Sequence, residues 1–260
     1  MDLQLKNKVV LVTGGAKGIG AATVHVCAGE GAIPVIVDRD ADAAKKLQAE
    51  LRGNGASSHV FTAELSSPEE CAQAVAHTIS ACGRLDALIN NAGVNDKVGL
   101  EHGSPADFTA SLRRNLVHYY SMAHHALPLL RQTKGSIVNV ASKVAVTGQG
   151  GTSGYAASKG AILALTREWA AELLPHGIRV NAVVPSEVMT PLYRQWLNTF
   201  PDPDAKLASI ISKIPLGKRM TTAGEVAAMV VFLLSDKAGH ITGQHLFVDG
   251  GYVHLDRALT

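Results

Sequence analysis

Cysteine is scarce in this chain. The three residues, Cys27, Cys71 and Cys82, are odd in number and widely spaced, which excludes both a disulfide framework and a paired-cysteine zinc site. The expectation is reduced, core-facing thiols in a cytoplasmic protein. The eleven histidines form no HExxH pattern, and the adjacent His124 and His125 point to different faces of any helix, so no metal site is expected. Charge is also sparse, at 18% of residues with a formal net charge of +2. The basic residues are scattered rather than gathered into a stripe, which argues against a nucleic-acid partner. No apolar run is long enough to cross a bilayer, so no membrane partner is expected. Met1 to Lys8 lacks the charged and apolar regions of a signal peptide. Internal repeats and low-complexity tracts are missing as well.

What remains is 260 residues, 47% of them hydrophobic, which suits one large α/β domain with a full core. Short apolar runs alternate with helical patterns. The runs are Lys8 to Val12, Ile33 to Val37, His59 to Leu65, Leu85 to Ile89, Ser136 to Val140, Arg179 to Val184 and His245 to Val248. This alternation predicts a doubly wound parallel sheet of seven strands with helices on both faces. Ser67 with Pro68, Glu69 and Glu70 opens a helix that Gly83 closes. Asp107 to Arg131 reads as one long helix, with a kink or early end at Pro128. Thr222 to Leu234 is a further helix, capped by Thr221 or Thr222. Between Thr190 and Met220 four prolines and the aromatic residues Tyr193, Trp196 and Phe200 break the pattern, and an inserted, partly helical flap over the site is expected.

Thr13-Gly14-Gly15-Ala16-Lys17-Gly18-Ile19-Gly20 follows the first strand and opens the first helix. A dinucleotide pyrophosphate needs close backbone approach and free N–H groups at a helix start, and glycines remove the Cβ atoms in the way. Asp38 ends the second strand about eighteen residues past Gly20. A carboxylate there accepts both ribose hydroxyls of NAD and repels the 2′-phosphate of NADP. Lys17 and Arg39 leave some NADP use open. Tyr155 and Lys159 are four apart in a helical stretch and share a face. A phenol with a reference pKa near 10 is too weak an acid for base catalysis at neutral pH, and a neighbouring ammonium is expected to lower that value. Ser142 lies just past the fifth strand, at the carboxyl edge of the sheet where ligands bind. Asn115 sits mid-helix, a poor place for Asn on propensity grounds.

These residues resemble the short-chain dehydrogenase/reductase family over nearly the whole chain. Thr13, Gly14, Gly18 and Gly20 match its TGxxxGxG motif, and Asn90-Asn91-Ala92-Gly93 its NNAG motif. Asn115, Ser142, Tyr155 and Lys159 match its catalytic tetrad in order and spacing. The resemblance implies that Tyr155 is the acid/base, that Ser142 steadies the reacting oxygen, and that Asn115 helps hold a water relaying protons to Lys159. It also implies that Lys159 holds the nicotinamide ribose. Pro185 to Pro191 occupies the place of a PGxxxTP segment, where Val188 and Thr190 would contact the carboxamide; Ser186 stands where the family usually has Gly. If that position needs positive φ, Ser186 is strained or the loop differs. Glu64 and Leu65 replace a more usual Asp-hydrophobic pair near the adenine.

Within the family the chain looks most like the sugar-oxidising, L-fucose dehydrogenase branch. That likeness rests on Val144 to Gly150 with Thr152 to Tyr155, on Glu187 to Arg194, on Val248 to Tyr252 and on the Leu255-Asp256-Arg257-Ala258-Leu259 end. It implies oxidation of L-fucose or L-galactose at C1 to a lactone, and a homotetramer in which the Asp107 and Gly154 helices make one contact and the last helix and strand another. A sugar needs several directed polar groups. Asn95, Gln149, Thr152 and Glu187 lie in loops at the right end of the sheet, and Trp196 in the flap is placed to stack on a sugar face. Alternatives are another polyol, ketone or acyl substrate, and a catalytically silent nucleotide sensor.

Overall fold

The computed structural model describes residues 2–256. Arg257, Ala258 and Leu259 of the C-terminal stretch named above lie outside the described residues. The strands are β1 Val9–Thr13, β2 Ile33–Asp38, β3 His59–Thr62, β4 Ala87–Asn90, β5 Ser136–Val140, β6 Arg179–Pro185 and β7 His245–Val248. They form one sheet in the order β3-β2-β1-β4-β5-β6-β7, and every pairing is parallel. Seven parallel strands are what the alternation of apolar runs and helices predicts.

Both faces of the sheet are covered, which is why its strands read as unbroken apolar runs rather than as an alternation. Successive residues of β1 feed opposite layers. Val9 and Leu11 face one core with helices α3 (Pro68–Cys82), α5 (His118–Thr133) and α6 (Ser153–Leu173). Val10 and Val12 face the other, with α1 (Gly18–Gly29), α2 (Ala41–Gly53) and α9 (Ala223–Leu234). The chain reverses its direction of winding between β1 and β4, and the crevice left outside the carboxyl ends of those strands is where the site residues converge.

Local signals set most helix ends. Ser67 accepts a hydrogen bond from the Glu70 N–H, and Gly83 closes α3 in the left-handed conformation. Thr222 and Glu225 form a reciprocal capping box at α9.

The long helix expected over Asp107 to Arg131 differs in two ways. It opens at Pro105 as α4 (Pro105–Leu112), passes through a π-turn over Arg113–Val117, and resumes as α5. The bulge has a cause at Asn115, whose side-chain Nδ2 donates to the Ser111 carbonyl at 3.2 Å. That carbonyl is the acceptor an α-helix would give to the Asn115 N–H, so the ladder widens there. Pro128 does not end the helix, which continues to Thr133. Fully buried Leu130 anchors the last turn, and the Thr133 hydroxyl donates to the Leu85 carbonyl at 2.8 Å. Strand β3 is shorter than the run His59 to Leu65, because the chain turns away after Thr62 and the Glu64 carbonyl accepts the Ser67 N–H at 3.1 Å. The stretch Thr190 to Met220 carries two short helices, α7 (Pro191–Leu197) and α8 (Pro203–Ile211). Among the described residues no helix is long and apolar enough to cross a membrane.

Candidate active site

A cleft of about 520 Å³ opens across the carboxyl edge of the sheet. At one end lies the glycine turn. Gly14 and Gly18 have φ of +61° and +56°, a region glycine enters without strain. A Cβ on Gly14 would come within 2.9 Å of the Ala92 Cα, and one on Gly18 within 3.2 Å of the Thr190 methyl. Gly20 does not line the cleft. It stands behind the turn, where a Cβ would lie 2.0 Å from the Gly14 carbonyl oxygen, so its role is close packing of α1. Asn91 is a structural tie on the same turn, because its amide donates to the carbonyls of Thr13 and Gly14 at 2.9 and 3.0 Å.

The turn leaves the first N–H groups of α1 without a side-chain cap, since Lys17 at its N-cap makes none. Lys17 and Ile19 line the cleft beside it, and Asp38, Arg39, Glu64 and Leu65 line the next stretch. One Asp38 oxygen accepts from the Ala16 N–H and the other from the Asp40 N–H, each at 3.0 Å, so the carboxylate is fixed. Lys17 is drawn to Asp40 at 2.5 Å and Arg39 to Glu64 at 3.4 Å. A glycine cradle that a Cβ would fill, an uncapped helix start and a fixed carboxylate together fit the pyrophosphate and ribose of a dinucleotide.

Ser142, Tyr155 and Lys159 line the other half, with Ala92, Gly93, Pro185, Val188 and Thr190. Ser142 lies in the turn after β5, and Tyr155 and Lys159 lie one turn apart on α6. Desolvation in the cleft pushes the Tyr155 phenol up to about 12; its hydrogen bond with Ser142 acts in the opposite sense, and the charge of Asp96 adds to the rise. The expectation that the Lys159 ammonium lowers this phenol is corrected here. Lys159 Nζ donates instead to the Val140 carbonyl at 2.7 Å and to the Tyr119 hydroxyl at 3.0 Å, and it stands 5.6 Å from the centre of the Tyr155 ring. Burial also pulls Lys159 itself down to about 7, which removes much of its charge near neutral pH. Asn115 is fully buried beneath this group rather than on the wall. Its Oδ1 accepts the Val94 N–H at 2.7 Å and would face a Cβ on Gly93 at 3.2 Å.

Of the residues expected around a sugar, Ser142 and Tyr155 line the cleft, Asn95, Gln149, Thr152 and Trp196 do not, and Glu187 lies between the lining residues Ser186 and Val188 without lining it itself. Gln149 is exposed, and the Asn95 side chain turns back to accept the Lys97 N–H at 3.2 Å. Thr152 is buried at the start of α6. Trp196 packs edge-on between Tyr193 and Phe200, with ring centres 5.1 and 5.0 Å away. Glu187 is ion-paired with Lys143 and accepts the Tyr193 hydroxyl at 2.7 Å. Ser186 is unstrained, because it is not among the described non-glycine residues with positive φ, and its hydroxyl donates to the Asp249 carbonyl at 3.3 Å.

Sequence reasoning also missed residues on the wall, among them Asp40, Arg114, His118 and Tyr193. Asp40 had a readable signal as the N-cap of α2, accepting the Ala43 N–H at 3.0 Å. His118 had none beyond its place one turn after Asn115. Burial and the nearby Lys159 charge pull its imidazole down to about 4.

Comparison with known proteins agrees with this geometry. The profile of the family described as Enoyl-(Acyl carrier protein) reductase matches residues 14–253. The L-fucose dehydrogenase of Mus musculus is 38% identical over 94% of this chain and 88% of its own length. The 3-oxoacyl-(acyl-carrier-protein) reductase FabG of Thermotoga maritima is 34% identical over 96% of this chain and all of its own. Among solved structures, Cj0485 dehydrogenase superposes with a TM-score of 0.94 at 45% identity, covering 100% of this chain and 99% of the other.

Proposed function

We propose a function on an established premise: the chain belongs to the short-chain dehydrogenase/reductase family of oxidoreductases. Within it, the chain works as an NAD-dependent sugar 1-dehydrogenase, oxidising L-fucose or L-galactose at C1 to the lactone. The observation that carries the proposal is that Ser142, Tyr155 and Lys159 line the same cleft as the glycine turn and Asp38.

Gly14, Gly18 and Ile19 would hold the pyrophosphate, Asp38 the adenosine ribose, and Val188 and Thr190 the carboxamide, with the backbone of Ala92 and Gly93 lining the half that holds Ser142 and Tyr155. When bound, NAD⁺ would supply the hydride acceptor and a positive charge to the cleft. Tyr155, as phenolate, takes the proton of the C1 hydroxyl while the hydride leaves C1. Ser142 donates to the same oxygen and steadies the charge that grows on it. Lys159 would hold the ribose and, with Asn115 beneath it, connect the phenol to a route for the proton. Positioning supplies much of the acceleration, and proton transfer adds roughly two to four decades.

Choice of NAD rests on local charge. Asp38, Asp40 and Glu64 surround the ribose end, and both nearby cations, Lys17 and Arg39, are already matched by two of these carboxylates. A 2′-phosphate would meet a net negative surface. The sugar reading is supported by the L-fucose dehydrogenase relatives; the acyl-carrier reductase relative names the rival, reduction of an acyl ketone. The proposal treats the chain as one dinucleotide-binding domain with a flap at about 190–220, active in the cytoplasm as a homotetramer.

Initial rates with L-fucose, L-galactose and D-arabinose against both cofactors test it. NADH formed from L-fucose or L-galactose, with NADP at least tenfold poorer, is the expected result. Turnover of a 3-oxoacyl thioester with no sugar oxidised would replace this reading with its rival.

A further inference from the structure

Beside Ser142 stands an ion pair that the reaction described above does not use. Lys143 follows Ser142 directly, and Glu187 lies between the cleft-lining residues Ser186 and Val188. Their side chains are paired and only 9% and 14% exposed. Glu187 accepts the hydroxyl of Tyr193, which itself lines the cleft, at 2.7 Å. Lys143 Nζ sits 4.1 Å from the centre of the Tyr252 ring. Four residues from three separate segments thus converge where the wall meets the flap: the turn after β5, the loop and helix after β6, and the turn after β7.

A nearly buried ion pair is a poor device for holding loops together. Desolvation offsets most of the Coulomb attraction, and an apolar pair of similar volume often serves as well or better. What an ammonium–carboxylate pair does well is present a donor and an acceptor side by side in fixed directions. Lys143 has three N–H donors and Glu187 has lone pairs beyond those taken by Lys143 and Tyr193. Two adjacent hydroxyl groups match that pattern, one donating to the carboxylate and its neighbour accepting from the ammonium.

We infer that Lys143 and Glu187, with Tyr193 oriented by Glu187, form a specificity-determining subsite that reads vicinal hydroxyl groups on the part of the substrate beyond the oxidised carbon. This rests on the sugar reading and deepens it.

The test compares L-fucose with its 2-, 3- and 4-deoxy analogues in the wild type, in Lys143→Met, in Glu187→Gln and in the double variant Lys143→Met/Glu187→Leu, which leaves no buried charge unpaired. NADH binding by fluorescence and thermal unfolding report whether each variant keeps its fold. The subsite predicts that the wild type prefers L-fucose over at least one deoxy analogue by about 10- to 100-fold in kcat/KM, as expected for a hydrogen bond to a charged group. In the variants that ratio falls towards one, through a higher KM for L-fucose, while NADH affinity stays within about twofold. A purely structural pair would lower the rates for all sugars alike. Variants that bind NADH and keep the wild-type preference overturn the subsite and leave the sugar reading standing. A wild type that binds NADH and oxidises none of these sugars overturns both.

Discussion

At the level of single residues, the decisive property is the burial of the reacting side chains. Tyr155 is pushed up to about 12 and Lys159 down to about 7, both first of all by desolvation. For Lys159 the consequence reaches stability. The unfolded chain holds that proton up to a pKa near 10.4, so between about 7 and 10.4 the unfolded state binds a proton that the folded state has released. Folding stability therefore gains a component that rises with pH across that window and is absent below it. Lys159→Met should flatten this rise, seen as the pH dependence of chemical denaturation midpoints, while abolishing most turnover. An unchanged slope in Lys159→Met would show that the ammonium is not desolvated. The placing of Tyr155 and Lys159 on one cleft was legible in sequence because a spacing of four on a helix fixes a shared face, and that of Ser142 because it lies just past β5. The direction of the Lys159 ammonium was not. It depends on the Val140 carbonyl and the Tyr119 hydroxyl, which reach it from other elements. Glu187 was singled out for the substrate without its partner, because nothing local to the sequence joins Lys143 to a loop more than forty residues later.

Among the elements, the glycine turn is the most constrained. It is pressed between α1 and the loop after β4, and Gly20 supports it from behind. Gly20→Ala would drive a Cβ into the Gly14 carbonyl at 2.0 Å, a backbone contact that no rotamer relieves. Overpacking of this kind costs about 1–3 kcal/mol, which for a chain of this size lowers Tm by roughly 2–12 °C. Thermal unfolding should show that loss together with weaker NADH binding. A stable variant with wild-type affinity would mean that the turn has room to move. Strands and most caps were readable, since each is set by a few adjacent residues. The π-turn at Asn115 was not, because it keeps the apolar pattern of an α-helix while a side chain takes one backbone acceptor. The early end offered at Pro128 does not occur for the opposite reason: a real local cost is outweighed by the buried Leu130 and the bond from Thr133.

For the whole molecule, the sheet order places the crevice, and chain segments far apart in sequence furnish its two halves. Length, composition and the alternation of runs were enough to expect the parallel sheet with covered faces. The walls of the substrate half were not readable in the same way. They are built by loops and by the stretch after Thr190, whose aromatic residues Tyr193, Trp196 and Phe200 pack on one another, so hydrophobic periodicity says little about which side chain faces inwards. The proposed tetramer belongs to this scale as well, and light scattering at micromolar concentration should give a mass about four times that of the 27.2 kDa chain; a monomer would refute it. The central claim is a direct transfer of hydride from the sugar's C1 to the nicotinamide with Tyr155 as base. Mass spectrometry of the reduced cofactor formed from C1-deuterated L-fucose tests it most directly. Deuterium should appear in the NADH made by the wild type, at a rate that Tyr155→Phe lowers by about two to four decades; reduced cofactor free of deuterium would contradict the claim.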